Sequence, residues 1–110
     1  TLEPKQEMNY RGRRIILPKQ EGTVTAPVTV MRADIDYNRH LNNANYIRMA
    51  MELLPDDFII GGLRVEYRVA AKIGDVITPR IYHQGENIII TLAIAEAISA
   101  IIEFCPRQKA

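Results

Sequence analysis

The chain has 110 residues, with 14 Lys and Arg against 13 Asp and Glu, for a formal net charge of +1. That length suits one compact domain and leaves no room for two, and the near-neutral balance argues against a nucleic-acid binder relying on a strong positive field. Hydrophobic residues make up 47% and charged residues 25%, the mixture of a soluble globular protein, whose moderate core leaves room for support from a second copy or a neighbouring domain. The lone Cys105 cannot close an internal disulfide and lacks the spaced Cys and His partners of a zinc site, so a reducing, cytoplasmic setting is expected. No run of about eighteen apolar residues exists, so no membrane span is expected. The chain opens Thr1-Leu-Glu-Pro-Lys5 without a signal-peptide pattern or an initiator Met, and is expected to be a trimmed chain or part of a longer one.

Residues 1–22 read as a lead-in or linker. They are polar, carry Pro4, Pro18 and the basic cluster Arg11-Gly-Arg-Arg14, and only Ile15-Ile-Leu17 can pair as a short strand. Residues 23–110 read as a single domain. From Thr23 to Arg32 apolar and polar residues alternate, with Val24, Ala26, Val28 and Val30 on one side, and Pro27 marks an edge position or a bulge. Ala44–Leu54 is the predicted helix, capped by Asn42 or Asn43 and stopped by Pro55. Its polar positions Asn45, Arg48 and Glu52 form one narrow stripe, so the helix is expected to be enclosed on most sides. Strands are predicted over Leu63–Ala70, Val76–His83 and Ile88–Ala95, with turns at Lys72-Ile-Gly-Asp75 and Gln84-Gly-Glu-Asn87. Ala97–Phe104 can pass as a helix but is read as a strand, because it follows two hairpin-like connections. This order predicts an α+β domain, a curved antiparallel sheet wrapped around one long central helix.

The densest polar stretch is Ala33-Asp-Ile-Asp-Tyr-Asn-Arg-His-Leu-Asn-Asn43. In an extended backbone Asp34, Asp36, Asn38, His40 and Asn42 point one way, at the mouth of the helix. A carboxylate, an amide and an imidazole on one face suit hydrolysis of an ester or thioester. Such a reaction needs a base to activate water and donors to hold the developing oxyanion. His40 is the natural proton shuttle, Asp36 can orient it or act on water, and Asn38 can fix the water or the carbonyl. Free N–H groups of the first helical turn are candidate oxyanion donors. Spacing alone leaves a second reading open, in which these residues bond their own loop and cap the helix. His83 has no such company and reads as a strand residue beside a turn.

The stretch Asp36-Tyr-Asn-Arg-His-Leu-Asn-Asn-Ala-Asn-Tyr46 resembles the D-x-N-x-H-x-N-N-x-x-Tyr signature of the acyl-acyl-carrier-protein thioesterases, within the hot-dog superfamily. Val65-Glu-Tyr-Arg-Val-Ala-Ala-Lys-Ile-Gly-Asp75 is similar to that family's strand and Gly-Asp turn. The resemblance covers roughly residues 23–104 and implies a hot-dog fold. It also implies a second hot-dog unit, as a homodimer or as the other half of a longer chain whose connection Arg11–Pro18 resembles. It gives Asp36, Asn38 and His40 as catalytic. Asn42, Asn43, Tyr46, Met49 and Leu53 are the expected substrate-binding residues, the last two lining an apolar slot. The implied activity is hydrolysis of a fatty acyl thioester of acyl carrier protein, or of coenzyme A, to a free fatty acid, as in fatty acid biosynthesis. Neither metal nor organic cofactor is expected, and no nucleic acid partner. Arg11, Arg13, Arg14, Arg39 and Arg48 are the cations available to meet an acidic carrier protein.

One position departs from the family pattern. Family members usually carry a glutamate where this chain has Ala70, and that glutamate has a part in activating water. Ala70 cannot take or give a proton, so weak activity is one expectation and a non-catalytic acyl-binding domain another. The related hydratases of this fold resemble D-x-N-x-x-H, with one more residue before the histidine, whereas here only Arg39 separates Asn38 from His40.

Overall fold

The computed structural model describes residues 14–35 and 40–108. Among them run β1 (Thr23–Val24), β2 (Val28–Thr29), a 3-10 turn (Arg32–Asp34), α1 (Asn43–Met51), β3 (Ile60–Tyr67), β4 (Val76–Gln84), β5 (Asn87–Ile94) and β6 (Ala97–Pro106). The strands form one antiparallel sheet in the order β1-β4-β5-β6-β3, with β2 also on β4. Two tight hairpins join β4 to β5 and β5 to β6, and β3 closes on the far side of β6. This sheet with its single packed helix is the hot-dog fold.

Proline chemistry explains why the predicted 23–32 strand appears as two pieces. Thr23 pairs with Ile81 and Val28 with Ile77 along one edge of β4, and between them the Thr25 N–H still bonds the Pro79 carbonyl at 3.0 Å while Pro27 and Pro79 have no N–H to donate. Val30 then packs in the core, whereas Val24 and Val28 stay at the surface. Ile15-Ile-Leu17 forms no strand. Instead Ile15 is buried on the outer face of the sheet against Ile89 and Ile101, its N–H donated to the Glu66 carboxylate at 2.9 Å.

The predicted helix ends earlier than Leu54. Its last regular residue is Met51, and the N–H groups of Leu53 and Leu54 turn back to the carbonyls of Ala50 and Met51 in a tighter, 3-10-like spiral. Enclosure is also less complete than the sequence implies. Tyr46, Met49 and Ala50 are buried against the sheet, Ile47 is half-buried, and Met51 remains 45% exposed. One chain covers one face of this helix.

The inner face of the sheet supplies Val65, Ile77, Ile90, Leu92, Ile102 and Phe104 to a core with Tyr46 and Met49. Each such aliphatic or aromatic side chain contributes roughly 1.5–3 kcal/mol on burial. The outer face carries charge as well as Ile15. Glu103 is buried there, bridged by Arg64 at 2.6 Å and held by the Asn87 amide at 2.9 Å. Strand β3 begins at Ile60, not Leu63, and includes Gly61 and Gly62. A Cβ at Gly61 would stand 2.7 Å from the Arg107 Cα, so the close approach of the chain end demands glycine. At its other end β3 stops at Tyr67, short of the predicted Ala70. There the N–H groups of Arg68 and Val69 both turn to the Ser99 carbonyl, and the chain leaves the sheet.

Candidate active site

The polar stretch before helix α1 is held by backbone pairing on both sides. Ile35 and Leu41 face each other in an antiparallel bridge, and His40 faces Lys72 in a second bridge. The Leu41 N–H donates to the Ala71 carbonyl at 2.8 Å. His40 is exposed, two residues before the helix cap. Ala70, also exposed, lies two residues before Lys72 on the segment that runs beside His40 and Leu41. Asp36 and Asn38, expected to be catalytic, lie outside the described residues, as do Arg11, Arg13 and Arg39.

Asn42 caps the helix. Its side-chain oxygen accepts from the Ala44 N–H at 2.9 Å, and its carbonyl accepts from Asn45 and Tyr46. These bonds use most of the first-turn donors that the sequence offered as an oxyanion hole. The Asn43 N–H is left with no acceptor among the described residues, and its side chain is exposed. Met49 and Leu53 pack into or against the core cluster. His83 lies on β4, exposed, its carbonyl accepting from the Gln20 amide.

Tyr46 is 3% exposed, and its hydroxyl ties three elements together. It accepts from the Ala71 N–H at 2.9 Å and lies 2.8 Å from the Ser99 hydroxyl. Ser99 in turn bonds the Val69 carbonyl. A carbonyl only accepts, so Ser99 donates to Val69 and Tyr46 donates to Ser99. The one-way chain Ala71 to Tyr46 to Ser99 to Val69 fastens the segment carrying Ala70 to the helix and to β6. The Tyr67 ring meets Tyr46 edge-on at 5.5 Å. Sequence reading did not reach Ser99, and its one signal was a hydroxyl inside the apolar run Ala97–Phe104.

Asp34 is a second hub that sequence reading left without a role. Its carboxylate accepts from the Met31 N–H at 2.9 Å and pairs with Arg48 on helix α1 at 3.3 Å. Its carbonyl accepts from the Asn42 N–H at 3.0 Å and from the Asn45 amide at 2.8 Å.

An antiparallel sheet packed on helix α1 defines the class, a hot-dog domain. Residues 18–101 match the family model described as the acyl-ACP thioesterase C-terminal domain, and the chain belongs to that family. Among curated proteins none matches. Of solved structures, the chain is similar to the 12:0-ACP thioesterase from Umbellularia californica, with TM-score 0.76 and 19% identity over 92% of this chain and 41% of that one. It is also similar to an acyl-ACP thioesterase from Bacteroides thetaiotaomicron, with TM-score 0.75 and 18% identity over 86% of this chain and 41% of that one. A protein from Staphylococcus aureus, solved in complex with CoA, gives TM-score 0.68 and 19% identity over 77% of this chain and 74% of that one. At such identities the likeness is one of fold. The chain spans 41% of the length of each of the two acyl-ACP thioesterases. Among the described residues no helix is long and apolar enough to cross a membrane.

Proposed function

We propose that this chain hydrolyses a fatty acyl thioester carried on acyl carrier protein, with coenzyme A as the alternative carrier, in the cytoplasm. The observation that carries the reading is His40. It is solvent-facing, inside the family-matched stretch, and two residues before the cap of helix α1. In this mechanism His40, aided by Asp36, takes a proton from water as the water oxygen attacks the thioester carbonyl carbon. Asn38 and the Asn43 N–H hold the oxyanion. The C–S bond then breaks, the proton passes to the leaving thiolate, and a free fatty acid remains. Asn42, Asn43, Tyr46, Met49 and Leu53 form the acyl-binding side in this reading, with Asn42 and Tyr46 acting by shaping the turn.

A second hot-dog unit belongs to the proposal. The outward edge of β3 has no strand partner among the described residues, Leu63 on it is 40% exposed, and Met51 leaves helix α1 uncovered on that count too. The partner is either a second copy or the other half of a longer chain. Light scattering of the chain in solution checks the first possibility.

Thiol release from a series of acyl thioesters on both carriers tests the activity, comparing the parent with His40→Ala and Asp36→Ala. Loss of release in both variants supports the assignment. Equal release in all three removes it. Ala70 favours a second reading, a domain that binds acyl chains with little turnover, because the exposed methyl beside the His40 segment supplies no proton acceptor. Retained acyl binding with no thiol release selects that reading.

A further inference from the structure

We propose that Asp34 is a positioning residue for His40, an inference that rests on the hydrolytic reading above. Asp34 accepts four hydrogen bonds, and they come from residues both before and after it in the chain. Before it, the carboxylate accepts from the Met31 N–H and closes the 3-10 turn Arg32–Asp34. After it, the Asp34 carbonyl takes the Asn42 N–H and the Asn45 amide, while the carboxylate holds Arg48.

The geometry links these bonds to chemistry. Asp34 stands immediately before Ile35, which bridges Leu41, so the residue that anchors the helix also anchors the bridge beside His40. Its side chain is 15% exposed. Asn45 relays the restraint, its amide donating to Asp34 while its oxygen accepts from the Arg48 Nε at 3.1 Å. Removing the Asp34 carboxylate takes away the Met31 and Arg48 bonds and leaves the carbonyl bonds to Asn42 and Asn45 alone to hold this corner, which loosens the relation of His40 to the Asn43 N–H. Substrate affinity is unaffected, because Asp34 touches no part of the acyl chain in this scheme.

The experiment measures thiol release and thermal unfolding for the full chain and for Asp34→Ala, Asp34→Asn and Arg48→Met. Asp34→Ala is expected to lower kcat by about 10- to 100-fold, since a displacement near 1 Å at a reacting group costs up to about 10²-fold, with KM within about twofold. Asp34→Asn keeps an acceptor for Met31 and is expected to recover most of the loss. Parent-like kcat in Asp34→Ala, a loss confined to KM, or an Asp34→Asn variant as slow as Asp34→Ala overturns the proposal. Should Asp34→Ala fail to fold, Arg48→Met carries the comparison, with a lowered kcat expected and an unchanged one overturning it. Should the parent release no thiol, the hydrolytic reading fails by itself, and positioning is then read from the His40 imidazole signals in NMR. These are expected to shift in Asp34→Ala and return in Asp34→Asn, and their constancy across the variants overturns the proposal.

Discussion

His40 and Lys72 face each other across an antiparallel bridge, and Ala70 stands exposed two residues before Lys72 on the same segment. A carboxylate placed at position 70 therefore enters the neighbourhood of the proposed proton shuttle. A positioned general base is worth about 10²–10⁴-fold. Ala70→Glu is expected to raise kcat for thiol release by at least about 10-fold, measured against the parent with one acyl thioester. A rate equal to the parent's would mean that position 70 does not reach the attacked water.

The hydroxyl of Tyr46 sits between the Ala71 N–H and Ser99. Tyr46→Phe strands the buried Ala71 N–H and leaves Ser99 with only its bond to the Val69 carbonyl, which costs about 1–3 kcal/mol. Urea unfolding is expected to show a lower midpoint with an unchanged slope. Adding Ser99→Ala is expected to cost less in the Tyr46→Phe background than in the parent, because the two share one network. Additive losses would break the proposed chain of bonds.

Acid should loosen the outer face of the sheet. Burial pushes the Glu66 carboxyl up, but the Ile15 N–H, Arg68 and Arg14 outweigh it and hold it below the ordinary range. Burial likewise acts on Glu103, and Arg64 and Asn87 reverse it. Both folded carboxyls thus lie below their unfolded value of about 4.3. Their stabilisation is fully present above that pH and is lost as pH falls through the lowered folded values. The urea midpoint is expected to drop between pH 6 and pH 3, and to drop less in Glu66→Gln and Glu103→Gln. Parallel curves for all three proteins would contradict this.

Ala95 opens the β5–β6 turn at φ 54, a left-handed conformation that costs an L-residue roughly 1–2 kcal/mol. Glycine escapes that cost but adds freedom to the unfolded chain. Ala95→Gly is expected to raise Tm by a few degrees, read by thermal circular dichroism. A fall in Tm would show that the turn does not strain the alanine.

Much of this fold is legible in the order of apolar residues. The β4–β5 hairpin follows from Gly85, and Pro27 announced the broken edge strand. Ala97–Phe104 looked ambiguous because Ala95, not glycine, takes the positive φ of its turn. The extension of β3 to Ile60 was hidden behind Gly61 and Gly62, which weaken a strand pattern. In the site, Asn42 as helix cap was readable from its position. The roles of Asp34, Ser99 and the Tyr46 hydroxyl were not, because each depends on contacts between residues distant in sequence or on a backbone carbonyl.

Ile15 lies three residues ahead of the stretch that the family model matches, yet it fills a gap between Ile89 and Ile101. A gene fragment cut at the family boundary would express a sheet with its apolar back laid bare and the Glu66 carboxylate missing its amide donor. Such a product is expected to be poorly soluble, so useful expression limits for this domain begin no later than Arg14.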